Sequence, residues 1–362
     1  MLSIRALLRI VALVGAATGF LFALGLISSA GTTLGQSTLE RVLTMYSGPV
    51  TGLCIGLVAT SIFQSSSATT SIVVALVAGG GLPLSSAVPV ILGANIGTTL
   101  TSTLAAFGSS TIPAEFSRAL SAAAIHVLFN LTLSLILLPL EIAFGVVTGL
   151  AVEMSQLLSP LLGSSSRDVS DLTTLDYGLP PWGLMLAGIL LLILSLRLGI
   201  SLLRSVVLKR SEHLMETELS RHPILTFGAG FGLTAVVQSS SLTTSLIVPL
   251  AGSGIWKPDR VLPYTLGANV GTTVTALLAA LTTGSSGDMV NPALTAACAH
   301  VLINVTGFTL VGLIPPLRRA ILAGAALIGR MAEQRRRSAL AYVIGLFFVA
   351  PTLILLVLIS LR

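Results

Sequence analysis

Gln64-Ser65-Ser66-Ser67-Ala68-Thr69-Thr70-Ser71 returns 174 positions later as Gln238-Ser239-Ser240-Ser241-Leu242-Thr243-Thr244-Ser245, both times inside a chain that is otherwise mostly hydrocarbon. The same offset relates Gly93-Ala94-Asn95-Ile96-Gly97-Thr98-Thr99 to Gly267-Ala268-Asn269-Val270-Gly271-Thr272-Thr273, and His126 and Asn130 to His300 and Asn304. From Gly52 to Leu133 the offset preserves roughly 40% identity, so the chain is two copies of one folding unit. Duplicated units with polar interruptions at equivalent places are the sequence sign of a secondary transporter whose site lies between the copies.

Composition fixes the solvent. Of 362 residues, 54% are apolar, 9% are charged and 35 are glycine, too little charge for a water-facing surface. Runs near the ~20 residues needed to cross a bilayer extend over Leu7–Ser28, Pro89–Phe107, Ala119–Leu140, Trp182–Leu203, Leu262–Leu281, Leu294–Leu313 and Ala339–Leu361. The first follows Arg5 and Arg9 and ends at Ser28-Ser29-Ala30, like a cleavable signal. Its apolar stretch is longer than a signal core and has a counterpart near Trp182, so it is read as retained. Cys54 and Cys298 are not repeat-equivalent and read as small buried hydrophobes. The net charge of +6 comes from basic residues beside the spans, without the stacking aromatics of a nucleic-acid binder; its use is orientation.

Between Val50 and Gly81, and again from His222 to Gly254, an apolar stretch is split by the Gln-Ser-Ser-Ser run, and each half is too short to cross. Backbone exposed by such a break survives at membrane depth only inside protein or against water, so a re-entrant hairpin with its tip near the midplane is expected. The glycines and asparagine of residues 93–99 and 267–273 predict a broken helix in the following span. A span, a hairpin, a broken span and a further span make three crossings, so the second copy is inverted. With the N-terminus cytoplasmic, this parity puts sixteen basic residues inside, including Arg118, Lys209, Arg210, Arg221, Arg318 and Arg335–Arg337, against Arg41, Arg167 and Arg362 outside.

The fold class expected is therefore an all-α integral membrane protein of two inverted-topology repeats, each with a re-entrant hairpin and a broken helix, plus one extra C-terminal transmembrane helix. Its boundaries are 1–140 for repeat 1, 141–180 for an interfacial helix and external linker, 181–317 for repeat 2, 318–337 for a basic interfacial helix, and 338–362 for the final span. The amphipathic stretches are Glu141–Leu158 and Arg318–Arg337, the second suited to an anionic inner leaflet; the acidic linker is Gly163–Pro180.

At each tip, Ser65, Ser66 and Ser67, or Ser239, Ser240 and Ser241, sit where a half-helix N-terminus aims unpaired N–H groups into the membrane centre, which suits an anion. Thr69, Thr70, Thr243 and Thr244 add hydroxyl donors. Gln64 and Gln238 offer carbonyl oxygens of the hard type that sodium takes, and the unwound backbone expected around Asn95, Thr98, Thr99, Asn269, Thr272 and Thr273 offers more. Isolated serines and threonines usually satisfy helix backbone; two polar patterns repeated in register argue for a site. No lysine or arginine lies within either hairpin, so helix dipoles and co-bound cations must compensate the anion. His126 with Asn130, and His300 with Asn304, lie one turn apart on one helix face and read first as struts to a neighbouring hairpin, with ligand contact or proton relay as the alternative. A transition-metal site would need Cys or carboxylate partners; sodium is the metal expected. An intramembrane serine protease is disfavoured because everything is duplicated and Gly-x-Ser-x-Gly is absent.

These motifs, with Glu115-Phe116-Ser117-Arg118-Ala119 and Leu138-Pro139-Leu140-Glu141, resemble those of the type II sodium-phosphate cotransporter family across both repeats. The resemblance implies no enzyme and no cofactor, with sodium as co-substrate, and sodium-coupled symport of inorganic phosphate by alternating access. It implies that residues 64–67 and 238–241 line a shared phosphate and sodium site, with Asn95, Thr98, Thr99, Asn269, Thr272 and Thr273 close by. A carrier for another oxyanion or a dicarboxylate, or an anion channel, is the alternative. Animal members have a longer external loop and tails, so a bacterial inner membrane is expected, with the N-terminus cytoplasmic and the C-terminus external. The lipid bilayer is a partner, nucleic acid is not, and a homodimer is left open. Where electrogenic members carry an aspartate, this chain has Ser110, Thr111, Ile112 and Pro113, so electroneutral transport of divalent phosphate with two sodium ions is expected.

Overall fold

The computed structural model describes residues 4–45, 48–109, 111–162, 180–216, 222–283 and 291–360, all helix and short connections among those residues. The linker Gly163–Pro180, apart from Pro180, lies outside them, as do Arg167, Arg221 and Arg362.

The helices are α1 (Ile4–Met45), α2 (Pro49–Phe63), α3 (Ser66–Ala78), α4 (Leu84–Ser109), α5 (Pro113–Phe144), α6 (Val146–Leu162), α7 (Pro181–Glu216), α8 (Pro223–Val237), α9 (Ser240–Gly252), α10 (Pro258–Thr283), α11 (Pro292–Leu313), α12 (Pro315–Gln334), α13 (Arg336–Ile344) and α14 (Ala350–Ser360), the last two joined through a π-helical turn at Gly345–Val349. Among the described residues, seven stretches are long and apolar enough to cross a membrane: Val11–Ala30, Leu84–Gly108, Pro113–Phe144, Pro181–Gly199, Pro258–Thr282, Pro292–Leu313 and Arg336–Ser360. They coincide with the seven apolar runs of the sequence, so this is an all-helical, multi-pass membrane protein.

Helix lengths follow the sequence repeat. α2 and α8 each have 15 residues, α3 and α9 have 13, and α4 and α10 have 26. At 1.5 Å per residue the two short classes reach only ~20 Å, less than the ~30 Å of a hydrocarbon core. Proline at the first turn starts α2 and α8, where its missing N–H costs nothing.

Packing crosses between the copies. α3 lies against α10 and α11, while α9 lies against α4 and α5. α6 packs on α11 and α12 on α5 in the same exchanged way, and α1 pairs with α7. The α4 and α10 spans are the most enclosed, each with 72% of the window buried, against 17% for the last span.

The expected breaks at residues 93–99 and 267–273 are corrected by the structure, since α4 and α10 run through them without interruption. Their glycines serve close approach instead. A Cβ on Gly93 would strike the Leu53 carbonyl, one on Gly97 the Leu57 carbonyl, and ones on Gly267 and Gly271 the Phe227 and Phe231 carbonyls. α2 and α8 thus lie backbone to backbone on α4 and α10, a packing open only to glycine.

The bounds of the two amphipathic stretches are also redrawn. α5 continues through Glu141 to Phe144 and stops at Gly145, whose φ of 60° only glycine adopts easily. Glu141 then caps α6, accepting from the Val147 N–H at 2.8 Å, the Thr148 N–H at 3.2 Å and the Thr148 hydroxyl. The basic helix runs from Pro315, and Arg335 leaves helical geometry, so Arg336 and Arg337 open the last span. Arg118 crosses the copies, donating from Nε to the Gly252 carbonyl at 2.8 Å.

Gly93→Ala and Gly267→Ala should each lower stability by about 1–3 kcal/mol through overpacking, more than alanine's helix propensity returns. Gly228→Ala, on α8 with open space around it, should be neutral or mildly stabilising. Thermal unfolding in detergent compares the three directly.

Candidate functional site

Gln64 and Gln238 end α2 and α8 in the left-handed region, with φ of 58° and 56°, and they are the only described non-glycine residues with positive φ. Glycine would take this turn freely, whereas glutamine pays roughly 1–2 kcal/mol for it. A strained residue type retained at both equivalent elbows points to a use for its side chain. The elbow N–H groups donate to Thr60 and Thr234 carbonyls at 2.8 and 2.6 Å.

The next residue at each elbow is an N-cap. Ser65 Oγ accepts from the Ala68 N–H at 3.2 Å and Ser239 Oγ from the Leu242 N–H at 3.3 Å, each cap stabilising its helix by about 1 kcal/mol. The arms are then pinned by matched hydroxyl pairs, Thr60 with Thr69 at 2.8 Å and Thr234 with Thr243 at 2.7 Å. Thr69 and Thr243 therefore face back across their own elbow, and both Thr70 and Thr244 hydroxyls donate to serine carbonyls of the preceding turn.

The two elbows touch. Ser67 Oγ donates to the Gln238 carbonyl at 2.7 Å, so a residue of the first elbow satisfies an end carbonyl of the second. Two helix N-termini, each with about half a positive charge, consequently share one buried region. Ser66 and Ser240 are 3% and 2% exposed, and neither hydroxyl hydrogen-bonds to a described residue. The one carboxylate among the described buried residues is Glu141, committed to the α6 cap, so the elbow region is electrically neutral apart from helix ends.

Around the elbows stand α4 and α10. Thr98, Thr99, Thr272 and Thr273 hydroxyls all donate to carbonyls of their own helix, at 2.9, 2.7, 3.0 and 2.7 Å. Each oxygen keeps lone pairs for a cation. Asn95 Nδ2 donates to Asn304 Oδ1 at 3.3 Å, and Asn269 Nδ2 to Asn130 Oδ1 at 2.8 Å, so each asparagine reaches the other copy. His126 Nε2–H donates to Asn269 Oδ1 at 2.8 Å. The histidine's partner is thus α10 and not an elbow. Asn130 and Asn304 also donate to the His126 and His300 carbonyls one turn back.

Two pairs of residues escaped the sequence reading. Thr60 and Thr234 hold the arms, and Thr101 Oγ1 donates to Gln64 Oε1 at 3.0 Å while Gln64 Nε2 donates to the Ser61 carbonyl at 2.9 Å. All obey the 174 offset with Thr275 completing the second pair; that is the signal that would have found them. Gln238 instead borders a largely apolar cavity of about 440 Å³ between α1, α7, α8 and α10, whose wall also includes Ser195 and Thr282.

Replacing either elbow glutamine by glycine relieves the positive φ. Gln238→Gly should therefore raise thermal stability by about 1 kcal/mol. Gln64→Gly should gain less, because it forfeits two side-chain hydrogen bonds of the Gln64 carboxamide. Paired melts of the two variants test the order.

No solved structure matches the chain. It is 31% identical to sodium-dependent phosphate transport protein 2A of Mus musculus over 92% of this chain and 65% of that protein. It is 31% identical to the same protein of Rattus norvegicus over 96% of this chain and 67% of that one. Against sodium-dependent phosphate transport protein 2B of Homo sapiens the identity is 28%, over 95% of this chain and 64% of that protein. The chain thus spans about two thirds of the length of these relatives. The family model described as Na+/Pi-cotransporter matches residues 20–153 and 191–356. Those segments contain both elbows, both enclosed long helices and both histidine–asparagine pairs, and the chain belongs to the Na+/Pi-cotransporter family.

Proposed function

We propose that this chain is a sodium-coupled symporter of inorganic phosphate, not an enzyme, in which phosphate and sodium bind together where the two elbows meet. The observation that carries this reading is the Ser67–Gln238 contact, which brings two helix N-termini into one buried region without a charged side chain. Ser65, Ser66, Ser67, Ser239, Ser240 and Ser241 offer the anion N–H and O–H donors. Gln64, Gln238, Asn95, Asn269, Thr98, Thr99, Thr272 and Thr273 offer sodium neutral oxygens. An anion here is held weakly by dipoles alone and strongly once cations neutralise it, because charges act at short range in a low dielectric; that is coupling. Sodium is co-substrate, and no cofactor is required.

The route is alternating access between two inverted copies, with α2–α3 and α8–α9 as re-entrant hairpins. Their lengths, too short to span, and the exchanged packing of α3 and α9 support this. Basic residues beside the spans support a cytoplasmic N-terminus. In this orientation α6 lies at the outer surface and α12 at the inner one.

Labelled phosphate uptake into proteoliposomes should require an inward sodium gradient. Ser66→Trp and Ser240→Trp should abolish it while the protein stays folded. Uptake without sodium would identify a channel, and wild-type uptake in either variant would remove the elbows from the site. With two sodium ions per divalent phosphate, an inside-negative potential set by potassium and valinomycin should leave the rate unchanged; each net charge moved would instead gain about 2.3 kcal/mol per 100 mV.

Orientation has its own test. In a background with Cys54 and Cys298 replaced by alanine, Gln156→Cys on α6 and Glu333→Cys on α12, both exposed, should react with an impermeant thiol reagent from opposite sides. Labelling from one side would make the copies parallel.

A further inference from the structure

The two copies carry the same residues but make different contacts. Thr101 holds the Gln64 carboxamide oxygen at 3.0 Å, whereas the equivalent Thr275 hydroxyl is fully buried without a partner. His126 reaches Asn269 at 2.8 Å, whereas both ring nitrogens of the equivalent His300 are buried and unpartnered. Ser67 donates to the Gln238 carbonyl, and Ser241 makes no reciprocal bond to Gln64. In all three comparisons the side chain from the first copy is engaged and its twin from the second is not.

A buried hydroxyl or imidazole left unsatisfied costs about 1–3 kcal/mol, so Thr275 and His300 retain polar groups that this arrangement penalises. Threonine at 275 is isosteric with valine, which would fill the same space at no such cost. The polar group is accounted for by an arrangement in which it is satisfied, and duplication supplies that arrangement: the second copy adopting the contacts of the first. Gln238 has room for the change, since it lines the 440 Å³ cavity and no described residue holds its carboxamide as Thr101 and Ser61 hold that of Gln64.

We infer that Thr101 and Thr275 are positioning residues that hold the carboxamide oxygens of Gln64 and Gln238 toward sodium, and that they engage alternately, Thr101 in the state seen here and Thr275 in its counterpart. Neither threonine touches the ion; each fixes the rotamer of the glutamine that does. Exchange of the Thr–Gln bond between copies accompanies exchange of the His–Asn bond. The inference rests on the glutamines being sodium ligands, as proposed above.

Sodium-activation curves of phosphate uptake, measured with the full chain in proteoliposomes, test it. Thr101→Val and Thr275→Val should each raise the half-activating sodium concentration about fivefold, the loss of one hydrogen bond, while the phosphate KM at saturating sodium stays near wild type. Thr101→Ser and Thr275→Ser, which keep the hydroxyl, should restore the wild-type curve and show that the loss is not one of folding. Gln64→Ala and Gln238→Ala provide the control. If neither glutamine variant shifts the sodium curve, the ligand assignment fails and this inference with it. If they shift it and Thr101→Val does not, the positioning role alone is overturned. A shift with Thr101→Val but an unchanged curve for Thr275→Val overturns the alternation.

Discussion

A helix that ends inside a protein leaves N–H and C=O groups that neither water nor the next turn can satisfy, and the elbows at Gln64 and Gln238 create such ends in pairs. The protein meets the demand locally with Ser65 and Ser239 as caps and with the left-handed turn that returns each elbow N–H to a threonine carbonyl. It meets the rest across the molecule, where Ser67 serves the Gln238 carbonyl. Most of the architecture follows from enclosing these ends. α3 and α9 are each covered by two long helices of the opposite copy, and glycines on α4 and α10 admit α2 and α8 to backbone contact.

The same enclosure determines the chemistry available. A buried lysine or arginine at the elbows would bind an anion tightly without help and would then hinder its release. In the proposed site, amides, hydroxyls and helix ends would bind it weakly, and their oxygens would accept sodium as well. In a region of low dielectric, oppositely charged ligands favour each other's entry more than any neutral side chain favours either. Coupling in this view is a property of what has been left out of the site as much as of what lines it.

Much of this was legible from residue order alone. Seven spans appear as apolar runs because lipid tolerates little else, and the elbows appear because Gln-Ser-Ser-Ser cannot be mistaken for a spanning segment. The misreading at residues 93–99 and 267–273 has a specific cause: glycine inside a helix signals either a break or a close neighbour, and only the position of Leu53 and Phe227 opposite Gly93 and Gly267 decides between them. Thr101 and Thr60 were passed over because a lone threonine in an apolar helix usually bonds its own backbone, as Thr98 and Thr99 do. The difference between Thr101 and Thr275 lies beyond any reading of sequence, since both sit in the same motif and only tertiary structure distinguishes them.

The exchanged packing of α3 and α9 also orders events in time. Ser67 and its acceptor in Gln238 are 171 residues apart, and the helices that cover α3 are made later still. At a synthesis rate of about 5–20 residues per second, the first elbow waits on the order of 10–40 s for its cover. During that interval the polar, capped turn lacks the cover that α10 and α11 give α3. The helices that enclose the first elbow from the other copy are therefore in place only once the second half of the chain has been made.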